Sequence, residues 1–158
     1  MTSMNRRTFL KSSLAGSVVA VAATAGLLKP TRVLAATWPT AGFEAKSIND
    51  ALKGLYGTST TVDGKGVITP KIPIQAEDGS MVRVEVITSL PNVESVAVLV
   101  DGNPSPLVAK ADFSGTTGYF RTNMKMAKTS NVMVVVKSQG KLHAVSQQVK
   151  VTAGGCGG

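Results

Sequence analysis

Apolar and polar residues alternate with a period of two along most of the second half of the chain, a pattern that predicts β-strands. In the first such segment, residues 81–88, the side chains of Val82, Val84 and Val86 share one face. Further segments of strand character follow between turn-forming residues, at 93–101, 107–113, 119–126, 131–138 and 141–152. Short Val- and Thr-rich strands at regular spacing predict an all-β, antiparallel sandwich of immunoglobulin-like type.

One short helix is predicted ahead of these strands. Ser47 or Asn49 can cap its start, three apolar residues recur at helical spacing, and Gly57 can end it. The apolar residues are Ile48, Leu52 and Leu55. Residues 37–47 before this helix and the polar, Gly-rich residues 58–71 after it are predicted to be irregular.

Positive charge is concentrated at the start of the sequence. The formal net charge of the whole chain is +8, but five of its 17 basic residues and none of its acidic ones lie in residues 1–36. The remaining 12 basic and 9 acidic residues are scattered among few aromatic residues, which argues against a nucleic-acid-binding surface.

Residues 1–36 have the organisation of an export signal. Arg6 and Arg7 lead into a mildly apolar run at 12–28, and small residues at 35 and 36 offer a cleavage site. The pair Arg6-Arg7 followed by Thr-Phe-Leu-Lys resembles the twin-arginine export motif. A membrane anchor is the alternative, although the run is short and weakly apolar beside the ~20 residues of a spanning helix. We therefore expect a removed signal at 1–36 and a sandwich domain at 37–152.

Twin-arginine export carries proteins that have already folded, around either a cofactor or a partner subunit. No cofactor site is visible in the sequence, so a partner is the better prediction. The expected location is the periplasm, an oxidising compartment, with no membrane attachment after cleavage.

The only cysteine of the chain, Cys156, lies in the sequence Gly-Gly-Cys-Gly-Gly. A single cysteine in an exported protein indicates an intermolecular disulfide or a free reactive thiol. Here Gly154, Gly155, Gly157 and Gly158 flank the thiol, directly after the last predicted strand. Glycines without Cβ atoms make a thin and flexible tether. Residues 153–158 are thus predicted to be an arm that presents Cys156 to other proteins.

Other site chemistry is hard to assemble, and we predict no resident catalytic group, metal or cofactor. His143 is the only histidine and falls inside a predicted strand. No His, Cys and Asp cluster has metal-ligand spacing, and no Cys-x-x-Cys pair exists. Three methionines could be imagined as copper ligands, but strand alternation assigns them to the core or to a sheet face. These are Met124, Met126 and Met133.

Two alternatives of other classes stay open from the residues alone. A structural β-sandwich could be joined to a second copy by a Cys156–Cys156 disulfide, although mobile glycines add nothing to such a link. A thiol enzyme acting alone would need a base within reach of Cys156, and His143 is the only candidate histidine.

The terminal Gly-Gly-Cys-Gly-Gly, together with the twin-arginine signal, resembles the SoxY family, the sulfur-carrier subunits of the periplasmic sulfur-oxidising (Sox) system. The likeness extends inward through residues 93–113 and 121–152, including the turn Asn-Pro-x-Pro-Leu that begins at Asn103. It covers nearly all of the chain after the signal.

The resemblance implies a carrier without catalytic activity of its own. It implies a heterodimer with SoxZ, which has no export signal of its own, and covalent attachment of inorganic sulfur compounds to Cys156. Thiosulfate would be coupled oxidatively to this thiol by the haem enzyme SoxXA. SoxB would then release sulfate and leave a persulfide, and SoxCD, where present, would oxidise the remaining sulfur. The four flanking glycines would correspond to the family's swinging arm.

Overall fold

Residues 38–115 and 118–152 are described by a computed structural model of the chain. They form two helices and nine strands. The helices are α1 (Thr40–Glu44) and α2 (Ile48–Tyr56). The strands are β1 (Val62–Asp63), β2 (Ile68–Lys71), β3 (Gln75–Ala76), β4 (Val82–Thr88), β5 (Val93–Val100), β6 (Leu107–Asp112), β7 (Tyr119–Met124), β8 (Ser130–Ser138) and β9 (Lys141–Val151).

The strands form two sheets, which confirms the predicted all-β sandwich. The large sheet has the order β1-β9-β8-β5-β6, and β3 also pairs with β9. The small sheet has the order β2-β4-β7. Pairing is antiparallel between the long strands, whereas the short strands β1 and β3 join the outer edge of β9 in parallel. The last long strand is therefore held along both of its edges.

The main core lies between the two sheets. On β4 the three valines of the sequence pattern are buried, whereas Arg83 points outward, as period-two alternation requires. From the large sheet, alternate valines of β5 and β8 enter the same core. Met124 and Met126 are buried there too, while Met133 packs on the opposite side of the large sheet. Their assignment to the core or to a sheet face is confirmed.

A second apolar cluster lies on the other face of the large sheet, where the helices pack. Ala97 and Leu99 of β5 alternate with its inward valines and are fully buried against this layer. Strand β5 is therefore covered on both faces, which accounts for its nearly continuous apolar sequence. Leu52 of α2 is the largest buried side chain that a helix contributes to this cluster.

Helix α2 begins and ends where the sequence predicts. The hydroxyl of Ser47 accepts a hydrogen bond from the backbone N–H of Asp50 at 3.1 Å, which caps the first turn. Gly57 adopts a left-handed conformation with φ of 75° and donates its N–H to the carbonyl of Lys53. Neither helix in the described part of the chain has the length and apolar character needed to cross a membrane.

The two segments predicted to be irregular contain regular structure, so this prediction was wrong. Residues 37–47 include helix α1, which is too short to display a helical period. It packs so closely on α2 that a Cβ atom on Gly42 would lie 2.6 Å from Leu55 Cδ2. Residues 58–71 include β1 and β2, whose pairing is with distant strands. Strand β2 lies at a sheet edge, where its Pro70 is tolerated.

Strands β8 and β9 are joined by a two-residue hairpin turn. Both of its residues, Gln139 and Gly140, have positive φ, at 51° and 71°. Glu94 braces this turn from β5. Its carboxylate accepts the N–H of Gly140 at 2.9 Å and forms an ion pair with Lys137 at 2.7 Å.

We expect Glu94→Gln to weaken the dependence of folding stability on acid pH. The hydrogen bond from Lys137 and then that from Gly140 lower the pKa of Glu94 below its ordinary value of 4.5. Because the folded-state pKa is depressed, the stabilisation is present above the unfolded pKa and is lost as pH falls through the folded one. Thermal unfolding at pH 7 and pH 3 should show a smaller difference for the variant than for the wild type.

Glu77→Gln is the matched control, since Glu77 is exposed and has no ion-pair partner among the described residues. Because the Glu77 variant leaves the interactions of Glu94 intact, it should keep the part of the pH dependence of stability that Glu94 contributes. If the pH dependence of stability decreased equally in both variants, the assignment of this effect to Glu94 would be wrong.

Candidate functional site

The predicted site residues lie outside the described part of the chain. Cys156 and the glycines at 154, 155, 157 and 158 belong to residues 153–158, and Arg6 and Arg7 belong to residues 1–37. The description ends at Thr152, four residues before Cys156. The structure therefore defines the base from which the predicted arm starts.

The end of β9 is fixed to the sandwich by its core-facing side chains and by hydrogen bonds on both edges. Val149 is fully buried in the core between the sheets. On one edge, the N–H of Val151 donates to the hydroxyl of Thr129 at 2.9 Å. On the other, the N–H of Thr152 donates to the carbonyl of Ala76 at 3.0 Å. The chain is thus anchored up to the residue before the predicted arm.

The turn between β3 and β4 packs against this anchored end. The carbonyl of Gly79 accepts the N–H of Met126 at 2.8 Å. A Cβ atom on Gly79 would lie 2.5 Å from the carbonyl oxygen of Met126 and 3.0 Å from Val151 Cγ1, so only glycine fits. Asp78 shapes the turn by accepting hydrogen bonds from the hydroxyl and N–H of Ser80, and these lower its pKa.

Asn103 fixes the neighbouring loop. Its side-chain amide donates to the carbonyl of Lys125 at 2.7 Å, and its side-chain oxygen accepts the N–H of Ala127 at 3.0 Å. This pair of bonds joins the turn after β5 to the loop between β7 and β8, which supplies Thr129 to the end of β9. The sequence pattern singled out Asn103 through its motif but gave no indication of this contact.

The surface around the arm base combines apolar and charged side chains. Ile74 is 74% exposed and Met81 is 69% exposed, the two highest values among the large apolar residues described. Exposed charged residues of both signs surround the same turn and loop. They are Glu77, Asp78, Lys125, Lys128 and Lys150.

His143 lies on β9, partly buried, with Val136 of β8 and Val62 of β1 as its neighbours in register. It precedes Thr152 by nine residues of almost continuous strand, a distance of about 30 Å at ~3.3 Å per residue. Four residues beyond Thr152 span at most ~14 Å. Cys156 and His143 of one chain therefore cannot meet, which removes the thiol–histidine pair that a lone thiol enzyme would need.

No group of three His, Cys, Asp or Glu side chains within residues 38–115 and 118–152 could hold a metal ion. One groove of about 370 Å³ lies on the small sheet near the arm base, and it is lined by Lys71, Ile72, Pro73, Arg83 and Glu85. The described residues thus form a fixed base that ends at Thr152, directly before the predicted arm.

Comparison with known proteins gives a family match that runs through Cys156. The model of the family described as "Sulfur oxidation protein SoxY" matches residues 52–156. The solved structure of the sulfur carrier protein SoxY from Chlorobium limicola f thiosulfatophilum is 34% identical to this chain, with a TM-score of 0.60. That alignment covers 67% of this chain and 96% of the other.

Two further comparisons add nothing to the family match. A solved engineered protein is 17% identical to this chain, and the alignment covers 53% of this chain and 20% of the engineered one. Its TM-score of 0.36 is too low to indicate a shared fold. No curated protein matches this chain significantly.

Proposed function

The chain belongs to the SoxY family of sulfur oxidation proteins, and we propose that it carries inorganic sulfur compounds covalently bound to the thiol of Cys156. The observation that carries this proposal is the extent of the family match, which ends at residue 156, the position of the only cysteine in the sequence. A carrier needs one defined attachment point, and the chain offers a single thiol.

The proposed chemistry begins with oxidative coupling of thiosulfate. The thiol loses its proton, a sulfur–sulfur bond forms between Cys156 and the outer sulfur of thiosulfate, and two electrons pass to the haem enzyme SoxXA. Hydrolysis by SoxB then adds water, releases sulfate and two protons, and leaves a persulfide anion on Cys156. The carrier supplies the sulfur nucleophile and catalyses neither step.

The residues that flank the thiol suit presentation to several enzymes. Gly154, Gly155, Gly157 and Gly158 have no side chains to obstruct entry into a narrow cleft. An ordinary cysteine has a pKa near 8.5, so only a few per cent of it is thiolate at neutral pH. We propose that the thiol is activated only inside an enzyme that docks on the carrier.

We further propose that the protein works in the periplasm as a heterodimer with SoxZ. The basis is the export signal at Arg6 and Arg7, whose route carries folded proteins and would bring a partner without a signal along with it. SoxXA, SoxB and, where present, SoxCD would then dock transiently on the exported complex. No cofactor, nucleic acid or membrane is part of the proposal.

The experiment that tests the function is intact-mass measurement of the protein purified from cells that oxidise thiosulfate. We expect discrete sulfur or sulfonate additions that disappear on treatment with a reductant. A protein that shows only the mass of a disulfide-linked pair, with no additions, would instead support a structural protein joined through Cys156.

A further inference from the structure

Every enzyme that acts on Cys156 must come close to the end of β9. Thr152 is held to the sandwich, and Cys156 follows it by four residues, so the Cα atom of Cys156 lies at most ~14 Å from that of Thr152. Enzymes surround reacting groups with protein to exclude water, and the thiol must therefore enter a cleft. The rim of that cleft is then brought against the surface around Thr152.

Ile74 lies next to this anchor. Its carbonyl accepts the N–H of Lys150 at 2.9 Å, two residues before the described chain ends. The next strand residues, Gln75 and Ala76, pair in register with Lys150 and Val151. The side chain of Ile74 is nevertheless 74% exposed, although a buried isoleucine would stabilise the fold.

Met81 is also close to the end of β9. It follows Gly79, which packs against Val151, by two residues, or no more than ~7 Å. One groove joins the two segments, because both Pro73 and Arg83 line it. Pro73 directly precedes Ile74, and Arg83 follows Met81 by two residues. The exposed side chains of Ile74 and Met81 are called the apolar patch below.

The composition of this surface is that of a small docking contact. Protein interfaces have an apolar centre and a polar or charged rim, and transient ones are small. Here the apolar patch adjoins exposed charges of both signs, Glu77 and Asp78 on its turn and Lys125 and Lys128 on the neighbouring loop. None of these four charges has an ion-pair partner within the described residues.

We propose that the apolar patch is the docking surface for the enzymes that load and process the cargo on Cys156. These enzymes contact the patch with the apolar rim of their active-site cleft. This inference rests on the proposed carrier function. A brief apolar contact at the arm base guides the thiol into the cleft and adds affinity that a short glycine-rich segment cannot provide. The small area leaves the enzyme free to depart after each step.

The test compares two double variants as substrates for the enzyme that couples thiosulfate to the thiol. Ile74→Ser with Met81→Ser removes the patch. Ile87→Ser with Tyr119→Ser is the matched control, because these two exposed apolar residues pair in register on the outer face of the same small sheet. Ile87 lies six residues along from Met81, about 20 Å away.

We expect the patch variant to raise KM for the carrier roughly tenfold, with kcat unchanged, because each residue truncated at an interface centre commonly weakens binding severalfold. The control should stay within about twofold of the wild type. The rate at which a small aromatic disulfide modifies Cys156 should be the same in all three proteins, which excludes a change in the thiol itself.

Two results would overturn the docking patch while leaving the carrier function intact. One is a patch variant that is loaded with the wild-type KM. The other is a patch variant that no longer forms a stable heterodimer in gel filtration, which would identify the patch as a permanent subunit interface. A wild-type protein that takes no cargo would instead refute the proposed function, and the docking patch with it.

Discussion

Replacing Cys156 with serine is expected to remove every covalent sulfur adduct and all thiosulfate-dependent electron release that requires the carrier. A serine hydroxyl cannot form a sulfur–sulfur bond and remains protonated at neutral pH, so oxidative coupling has no nucleophile. The sequence contains no second cysteine that could replace it. Intact mass after incubation with thiosulfate and the coupling enzyme measures the loss, which should be complete rather than partial.

Moving the thiol is a sharper control than removing it. The double variant Ala153→Cys with Cys156→Ser retains one cysteine but places it one residue beyond Thr152, so that its reach falls from ~14 Å to ~4 Å. We expect this protein to react with small thiol reagents and yet to be loaded poorly by the enzyme. Loading at the wild-type rate would contradict the requirement for an arm.

The long elements were predictable because their signals are local. Period-two alternation placed six strands within two residues of their observed limits, and Ser47 and Gly57 defined helix α2. Each of these patterns reflects which face of a single segment meets the core, so no knowledge of distant partners is needed.

The short strands could not be predicted, because their stability comes from partners far away in sequence. Val62 of β1 lies opposite His143, and Ala76 of β3 lies opposite Val151. Two residues carry no usable period, and the polar, Gly-rich surroundings favour a loop. The same holds for the bonds of Asn103 to the loop after β7, which join positions more than twenty residues apart.

The sequence alone singles out Cys156 as the candidate thiol, a prediction that lies outside the described residues, whereas the surface around Thr152 was only partly predictable. Because Val82, Val84 and Val86 face the core, alternation directs Met81 outward, and this signal was available. Ile74 gave no such signal, since a short apolar stretch such as Ile-Pro-Ile predicts burial as readily as exposure. Its position beside the arm base depends on parallel pairing to β9, which only the fold reveals.

The second large effect is expected on stability, from Leu52→Ala in helix α2. Leu52 is 2% exposed and packs with Ala97, Leu99 and Val135 on the helix-covered face of the large sheet. Truncation removes buried methyl groups and leaves a cavity, which costs about 2–5 kcal/mol. Against a typical total of ~5–15 kcal/mol, this is a large part of the stability of the domain. Urea unfolding should show a lower midpoint with an unchanged slope.

Lys53→Ala is the matched control, since its side chain is exposed on the same helix and its removal should change stability by no more than ~0.5 kcal/mol. Loading of Cys156 should be unchanged per folded molecule in the Leu52 variant, because the helix layer contributes to the fold and holds no group proposed to act on the cargo. Equal unfolding midpoints for the two variants would show that α2 is not part of the cooperative unit. Reduced loading of a protein that is still fully folded would give this layer a direct part in carrier function.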